Sequence, residues 1–353
     1  MLKLLKILFS PGIRSEFRGE DIRSILVIRM NRIGDMICTI PLIRSLRKRF
    51  PSASITVLAE SSNADIIRQE PYVNKVLVYR RPAGIFKGRL LSVMKTLKGR
   101  EFDLAIGVKG GFSSFLAIAA ALSGARFRIG YISGKKRLSE RLYNMPVMPV
   151  DFRAQHQVDS CLNLLRPIGI DDGIKDISIT IPVAFRDTAV RFMAANGLTP
   201  NNKVMIFNVS SNRTTSAWGP ENFVRLGRCL VEEHKYSCII SALPSDEKIA
   251  LEIRDKIGNG ALYFRTEHIM DFAAICSLCN ILVTGDGGAS HVGAATGATV
   301  VTLFGATPPA IWRPYGEQHI SLKAADGDVK SITVEEVLEM LKVKRILQGS
   351  IRA

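Results

Sequence analysis

Three short segments carry residue types and spacings that could do chemistry. The first is IRMNRIGDMICTIP (28–41), directly after an apolar run at 25–29. Gly34 permits a tight turn into a helix, and Asp35 falls near that helix's start. A carboxylate there could take a proton from a substrate hydroxyl. It could equally cap the helix, which on spacing alone is the commoner use of such an Asp. The second segment is NVSSNRTTSAWGPENF (208–223). Ser210, Ser211 and Asn212 ahead of a helix offer hydroxyls and backbone amides for an anion, with Arg213 as charge partner. An ordinary polar loop with Trp218 packed as a plug reads equally well. The third is VTGDGGASHVGAATGATVVTLFG (283–305). Asp286 precedes Gly287 and Gly288, where backbone can approach a diphosphate closely, and Ser290-His291 open a small-residue helix. A His at a helix start is more often a cap or core residue, but the Asp-Gly-Gly run tilts this one towards a site.

Common alternatives are absent from the sequence. Gly34 stands alone, so the first loop is neither GxGxxG nor a P-loop with its Gly-Lys-Ser/Thr ending. There is no Gly-x-Ser-x-Gly elbow for a Ser-His-Asp hydrolase. No HExxH, EF-hand or zinc-ligand spacing is read. Six cysteines lie scattered, without the density of a disulfide framework, which fits a reducing compartment. Cys276-Ser-Leu-Cys279 has redox or metal spacing, but it sits in an apolar helical stretch and reads as buried structure.

These loops need strands to hold them. Apolar β-branched runs at 25–29, 55–60, 75–79, 103–108 and 127–131 alternate with helical stretches at 42–50, 63–69, 90–99 and 113–124. A further helical stretch, 156–170, precedes a polar linker at 171–176. The rhythm then restarts, with strands at 203–209, 237–243, 280–285 and 299–305. Helices fall between them at 221–233, 246–257, 268–279 and 290–297. Thr333-Val-Glu-Glu336 is a capping box opening a last helix. Such alternation predicts parallel sheets covered on both faces, in two domains at 1–175 and 176–353 with a cleft between them. Ligands of such sheets bind beyond the strands' carboxyl ends, where all three loops fall.

With 353 residues, 47% of them hydrophobic, the chain has material for two packed domains, not a disordered one. Its net charge of +16 is unevenly spread. Residues 1–180 hold 30 basic and 15 acidic side chains, a net of 30 − 15 = +15; the remainder hold 18 and 17, a net of +1. One half is therefore built to meet an anionic partner. Between 80 and 100 the basic residues Arg80, Arg81, Lys87, Arg89, Lys95, Lys98 and Arg100 meet no acidic one. A solvated surface is the usual meaning of such a run, yet seven to none favours an anionic partner such as lipid or sugar phosphate. No apolar run reaches the roughly 18 residues of a membrane span. MLKLLKILF at the start reads as a surface anchor or as a helix packed on the protein itself. A nucleic-acid role, suggested only by charge, finds no helix-turn-helix, zinc-finger or RNP pattern.

In combination the segments resemble the ADP-heptose:lipopolysaccharide heptosyltransferases of glycosyltransferase family 9. The matching stretches are RMNRIGDMICTIPLIRSLRKRFPSASITVLAE (29–60), FDLAIGVKGGF (102–112), NVSSNRTTSAWGPENFVRLG (208–227) and VTGDGGASHVGAATGATVVTLFGATPPAIWRPYG (283–316). The resemblance implies an α/β fold of GT-B type, two Rossmann-like doubly wound domains with acceptor on the first and nucleotide-sugar on the second. It implies metal-independent, inverting transfer of heptose from ADP-heptose to the lipopolysaccharide inner core, with no cofactor. Asp35 matches the family's general base; Asp286, Gly288 and His291 match its donor motif. Ser210, Ser211 and Asn212 match the loop against the donor phosphates. Two positions depart. The Lys usual two residues before the loop Trp is Ser216, with Arg213 the cation left to replace it. The Thr or Ser usual after the motif Asp is Gly287. Both lie on the donor side, so another nucleotide-sugar donor, or a non-catalytic member, stays an alternative; the retained Asp35 speaks against the latter. Arg32 and Lys109, with Arg80 and Arg81, are the expected acceptor contacts. A phosphorylated lipid A-core acceptor and an anionic membrane are the expected partners, at the cytoplasmic face of the bacterial inner membrane, with no nucleic acid.

Overall fold

The structure, a computed structural model, describes residues 17–80, 86–150, 154–211, 217–344 and 347. The chain divides into two compact units, Met1–Thr180 and Ile181–Ala353. Each holds a six-stranded, wholly parallel sheet.

In unit 1 the strands are β1 (Ser24–Arg29), β2 (Ser54–Glu60), β3 (Lys75–Tyr79), β4 (Leu104–Gly107), β5 (Phe127–Tyr131) and β6 (Met145–Val147). The helices are α1 (Ile33–Ile37), α2 (Ile40–Arg49), α3 (Phe86–Leu97), α4 (Ser114–Leu122) and α5 (Gln157–Asn163). Sheet order is β3-β2-β1-β4-β5-β6, so chain direction across the sheet reverses between β1 and β4. Ile25, Leu26, Val27 and Ile28 of β1 are fully buried, as a strand covered on both faces requires.

Unit 2 repeats the plan with β7 (Val204–Asn208), β8 (Ser237–Ala242), β9 (Ala261–Arg265), β10 (Ile281–Gly285), β11 (Thr299–Phe304) and β12 (Ile320–Lys323). Its helices are α6 (Val183–Ala195), α7 (Pro220–Glu232), α8 (Glu247–Ile257), α9 (Ile269–Ser277), α10 (Gly288–Ala295), α11 (Pro309–Trp312) and α12 (Val334–Val343). The order β12-β11-β10-β7-β8-β9 is the same winding, with its reversal between β7 and β10. Thr333 and Glu336 form the expected capping box at the start of α12.

The segment leading to residue 180 is bound to unit 1 by side chains. Arg44, buried in α2, pairs with Asp176 and donates to the Ser178 carbonyl at 2.8 Å. Ser45 Oγ accepts from the Ile174 amide at 2.8 Å, and Glu70 accepts from the Thr180 amide at 2.6 Å. Burial raises the Glu70 carboxyl above its ordinary range, against the pull of Arg44. Residues 63–69, expected to be helical, make only a single 3-10 turn, Ala64–Ile66. Cys276 and Cys279 are both buried, as expected, although Cys279 falls just past the end of α9. Among the described residues no helix is long and apolar enough to cross a membrane. The MLKLLKILF segment lies outside them.

Candidate active site

In unit 1 the chain leaves β1 at the reversal point and enters α1 within four residues. The turn is made by 30–32, and Gly34 is already the second residue of α1. Asp35 sits in the first turn, buried, with its carboxylate held from two sides. One oxygen pairs with the Arg29 guanidinium; the other accepts the Arg32 amide at 3.3 Å. Thr39 Oγ1 donates to the Asp35 carbonyl at 2.8 Å. Asp35 therefore does cap its helix, and the same contacts fix where its carboxylate points.

Arg29 is the residue that sequence reasoning missed. It ends β1, is 0% exposed, and donates from Nη1 to the Val108 carbonyl at 2.8 Å. A guanidinium can thus join the end of β1 to the segment after β4, across the reversal point, while gripping Asp35. Its Nε has no hydrogen-bond partner. A buried cation is tolerable only when matched, so Arg29 and Asp35 must be read as one unit. Asn63, also buried, fixes the same loop by donating to the carbonyls of Arg29 (3.3 Å) and Asn31 (2.7 Å). Cys38 and Cys161 lie within electrostatic reach of the pair. Burial, the largest influence on each, pushes both thiols up and makes them inert neutral groups.

The expected acceptor contacts separate. Arg32 and Lys109 are both exposed and follow β1 and β4, the two strands flanking the reversal point. Arg80, also exposed, follows β3 at the sheet's far edge. Arg81 lies outside the described residues.

In unit 2 the equivalent point is bridged without charge. Asn208, the last residue of β7, donates from Nδ2 to Thr284 Oγ1 of β10 at 3.0 Å and to the Ser210 carbonyl at 3.2 Å. Ser210 Oγ accepts the Leu243 amide at 2.8 Å, tying the loop to the end of β8. Ser211 is half-buried, and Asn212, Arg213 and Ser216 lie outside the described residues. Trp218 is a plug: 1% exposed, it donates Nε1 to the Ile332 carbonyl at 2.7 Å and packs edge-on against Phe223.

After β10, Asp286 is half-buried, and its amide donates to the Leu303 carbonyl at 3.0 Å. Gly287 has extended backbone, and a Cβ built there would meet nothing within 4 Å. The protein itself places no steric demand for glycine at this position. Gly288 is the first residue of α10, and Ser290 Oγ donates to the Gly287 carbonyl at 2.8 Å. His291, one turn in, is buried in the helix. Asp286, Gly287 and Gly288 therefore share one strand-to-helix turn with the start of α10, while the β7 loop carrying Ser210 and Ser211 leaves the adjacent strand.

Two doubly wound parallel units, each with polar loops at its reversal point, give the chain a fold of GT-B type. The description "Glycosyltransferase family 9 (heptosyltransferase)" matches residues 90–341, and the chain belongs to that family. Its relatives include lipopolysaccharide heptosyltransferase 3 of Escherichia coli K12, 24% identical over 307 residues, which cover 83% of this chain and 86% of that protein. The fold is shared with a family 9 glycosyltransferase from Veillonella parvula, at a TM-score of 0.82 and 20% identity, covering 94% of this chain and 99% of that one. It is also shared with E. coli heptosyltransferase WaaC, solved with ADP, at a TM-score of 0.70 and 18% identity over 91% and 99% of the two chains.

Proposed function

We propose that the protein transfers heptose from ADP-heptose to a hydroxyl of the lipopolysaccharide inner core, with Asp35 as general base. The observation that carries this reading is the buried Arg29–Asp35 pair at the reversal point of unit 1. It presents one carboxylate of fixed orientation where a doubly wound sheet binds its ligand. Asp35 would accept the acceptor hydroxyl proton as that oxygen bonds to the anomeric carbon. The bond from that carbon to the diphosphate oxygen breaks, ADP leaves with the electron pair, and configuration inverts.

Charge on the leaving diphosphate would be met in unit 2 by the Ser210, Ser211 and Asn212 loop, by Asp286-Gly287-Gly288 with the start of α10 and His291, and by Arg213 near Ser216. Fixed amides and a guanidinium serve that purpose without a metal or cofactor. Arg32 and Lys109, both exposed and following the two strands that flank the reversal point, would meet acceptor phosphates, with Arg80 and Arg81 as further contacts.

The reading includes attachment to an anionic membrane through unit 1. Leu91 and Met94 of α3 are exposed beside Lys95 and Lys98, and α3 packs on α4. That helix in turn packs on the turn Leu138–Leu142, near which Leu138, Met148 and Val150 are exposed among Lys135, Lys136, Arg137 and Arg141. Apolar side chains set among cations suit the anionic inner leaflet, where the lipid acceptor resides. These residues support a position on the cytoplasmic face of the inner membrane.

Donor screening with a core acceptor tests the reading. ADP release should require a heptose-bearing donor, and Asp35→Asn should lower kcat about 10²- to 10⁴-fold. Asn keeps an acceptor for Arg29, so a native unfolding midpoint separates lost chemistry from lost fold. Turnover surviving in Asp35→Asn would remove the base assignment. Release of UDP or GDP would instead support the second reading, a different sugar donor, which Ser216 and Gly287 favour.

A further inference from the structure

Away from these loops, among the described residues, one group of metal-ligand side chains converges. At the C-terminal end of α7, Cys229 Sγ, a Glu233 carboxylate oxygen and a His234 ring nitrogen all lie within 4.8 Å of one another. We propose that these three residues bind a transition-metal dication, Zn²⁺ in the first place, with water as the fourth ligand.

The local fold creates the cluster. Cys229 and Glu233 are four residues apart and share a helix face, and the Glu233 amide donates to the Cys229 carbonyl at 2.9 Å. His234 follows as the helix ends, and Lys235 turns the chain with φ 58° while its Nζ binds the Glu232 carbonyl at 2.8 Å. The spacing Cys-x-x-x-Glu-His straddles a helix end, so no zinc-ligand pattern of the sequence reveals it. Cys229 and His234 are half-buried and Glu233 is exposed, so an ion can enter from solvent.

The donor set selects the ion. Sulfur, imidazole nitrogen and one carboxylate oxygen suit Zn²⁺, whereas Mg²⁺ and Ca²⁺ prefer oxygen throughout. Ligands of one tetrahedral ion stand about 3.5 Å apart, so small side-chain rotations close the site. The helix C-terminus adds negative potential, as do Glu232 and Glu233; Lys342 of α12 opposes them. Burial first, and then Glu233, raises the Cys229 thiol. Binding must therefore release that proton, and affinity should grow with pH. The cluster is about 20 Å along α7 from the Ser210 loop, which separates it from the transfer chemistry.

Titrating the full chain with Co²⁺ and Zn²⁺ tests this. One equivalent of Co²⁺ should bind with a sulfur-to-cobalt charge-transfer band, displaced by Zn²⁺. Cys38, Cys161, Cys238, Cys276 and Cys279 are all buried, so Cys229→Ser should abolish the band. His234→Gln and Glu233→Gln should each weaken binding at least about tenfold. Heptosyl transfer should be unchanged in all three variants. Absence of the band in the wild-type protein, or its survival in Cys229→Ser, overturns the proposal.

Discussion

The two units share one winding and solve the same problem with opposite chemistry. Each must bridge the gap where the sheet's connections reverse direction. Unit 1 does so with a buried cation, Arg29, reaching the Val108 carbonyl and holding Asp35. Unit 2 does so with a neutral amide, Asn208, on the Thr284 hydroxyl. The difference matches the proposed tasks. A proton acceptor needs a carboxylate held in one orientation, and a guanidinium beside it does this. A diphosphate brings its own charge, and neutral amides, hydroxyls and a helix start can receive it without a fixed counter-ion. The charge split of +15 and +1 repeats this contrast on the surface.

The comparison can be broken most forcefully at Arg29. Arg29→Met leaves Asp35 buried and unpaired, and should destabilise the protein by about 3–5 kcal/mol, read by denaturant unfolding. Combining it with Asp35→Asn should restore much of that loss without restoring activity. Additive losses in the double variant would show that the two residues do not act as a pair.

Acidification should distinguish the units next. Burial lowers the His319 pKa from 6.5 to about 4, and its Nδ1 accepts the Val300 amide at 3.2 Å. Between those values the unfolded chain takes up a proton that the folded chain refuses. Unit 2 thus loses stability as pH falls through that window, by about 3 kcal/mol in all, and loses no more from this group below it. Glu70 in unit 1 works the other way. Its carboxyl is raised by burial, so the folded state gains protons first and its contribution improves as pH falls below that raised value. Hydrogen exchange on β11 and β12 against β1 and β2, at pH 7 and pH 5, should show unit 2 losing more protection. Equal losses would refute the assignment to His319.

The smallest effect is expected at Asn208. Asn208→Ala removes one neutral bridge and should cost about 1 kcal/mol, with the larger change appearing in donor KM, because the Ser210 loop loses its tie. A variant with unchanged donor KM would separate this bridge from donor binding.

Most of the fold was legible, and the strands that were missed share a cause. β6, β9 and β12 all lie at sheet edges, where one side has no strand neighbour and the residues are only half-buried. Their signal is short: Met145–Val147 has three residues with Pro146 among them, Ile320–Lys323 alternates apolar with polar residues, and Ala261–Arg265 has only four apolar residues. α6 was missed for a related reason: Val183 and Val190 are exposed, and only Ala189 and Met193 are buried. Its anchoring comes instead from Phe192 edge-on to Phe264 and Phe185 stacked on His268, pairings no local window contains.

By itself the sequence determined the two parallel sheets and the loops at the ends of their strands; Asp35 was singled out as a base only through the family resemblance. Both depend on local pattern: apolar runs that need two covered faces, and polar or glycine-bearing segments between them. Only the tertiary structure decided that Asp35 is gripped by Arg29, that Asn63 braces its loop, and that Trp218 is a plug. It alone bound residues 174–180 to unit 1 through Arg44, Ser45 and Glu70. Those contacts join residues 6 to 134 positions apart. Which distant polar groups must meet is settled by the cost of burying each one unpaired.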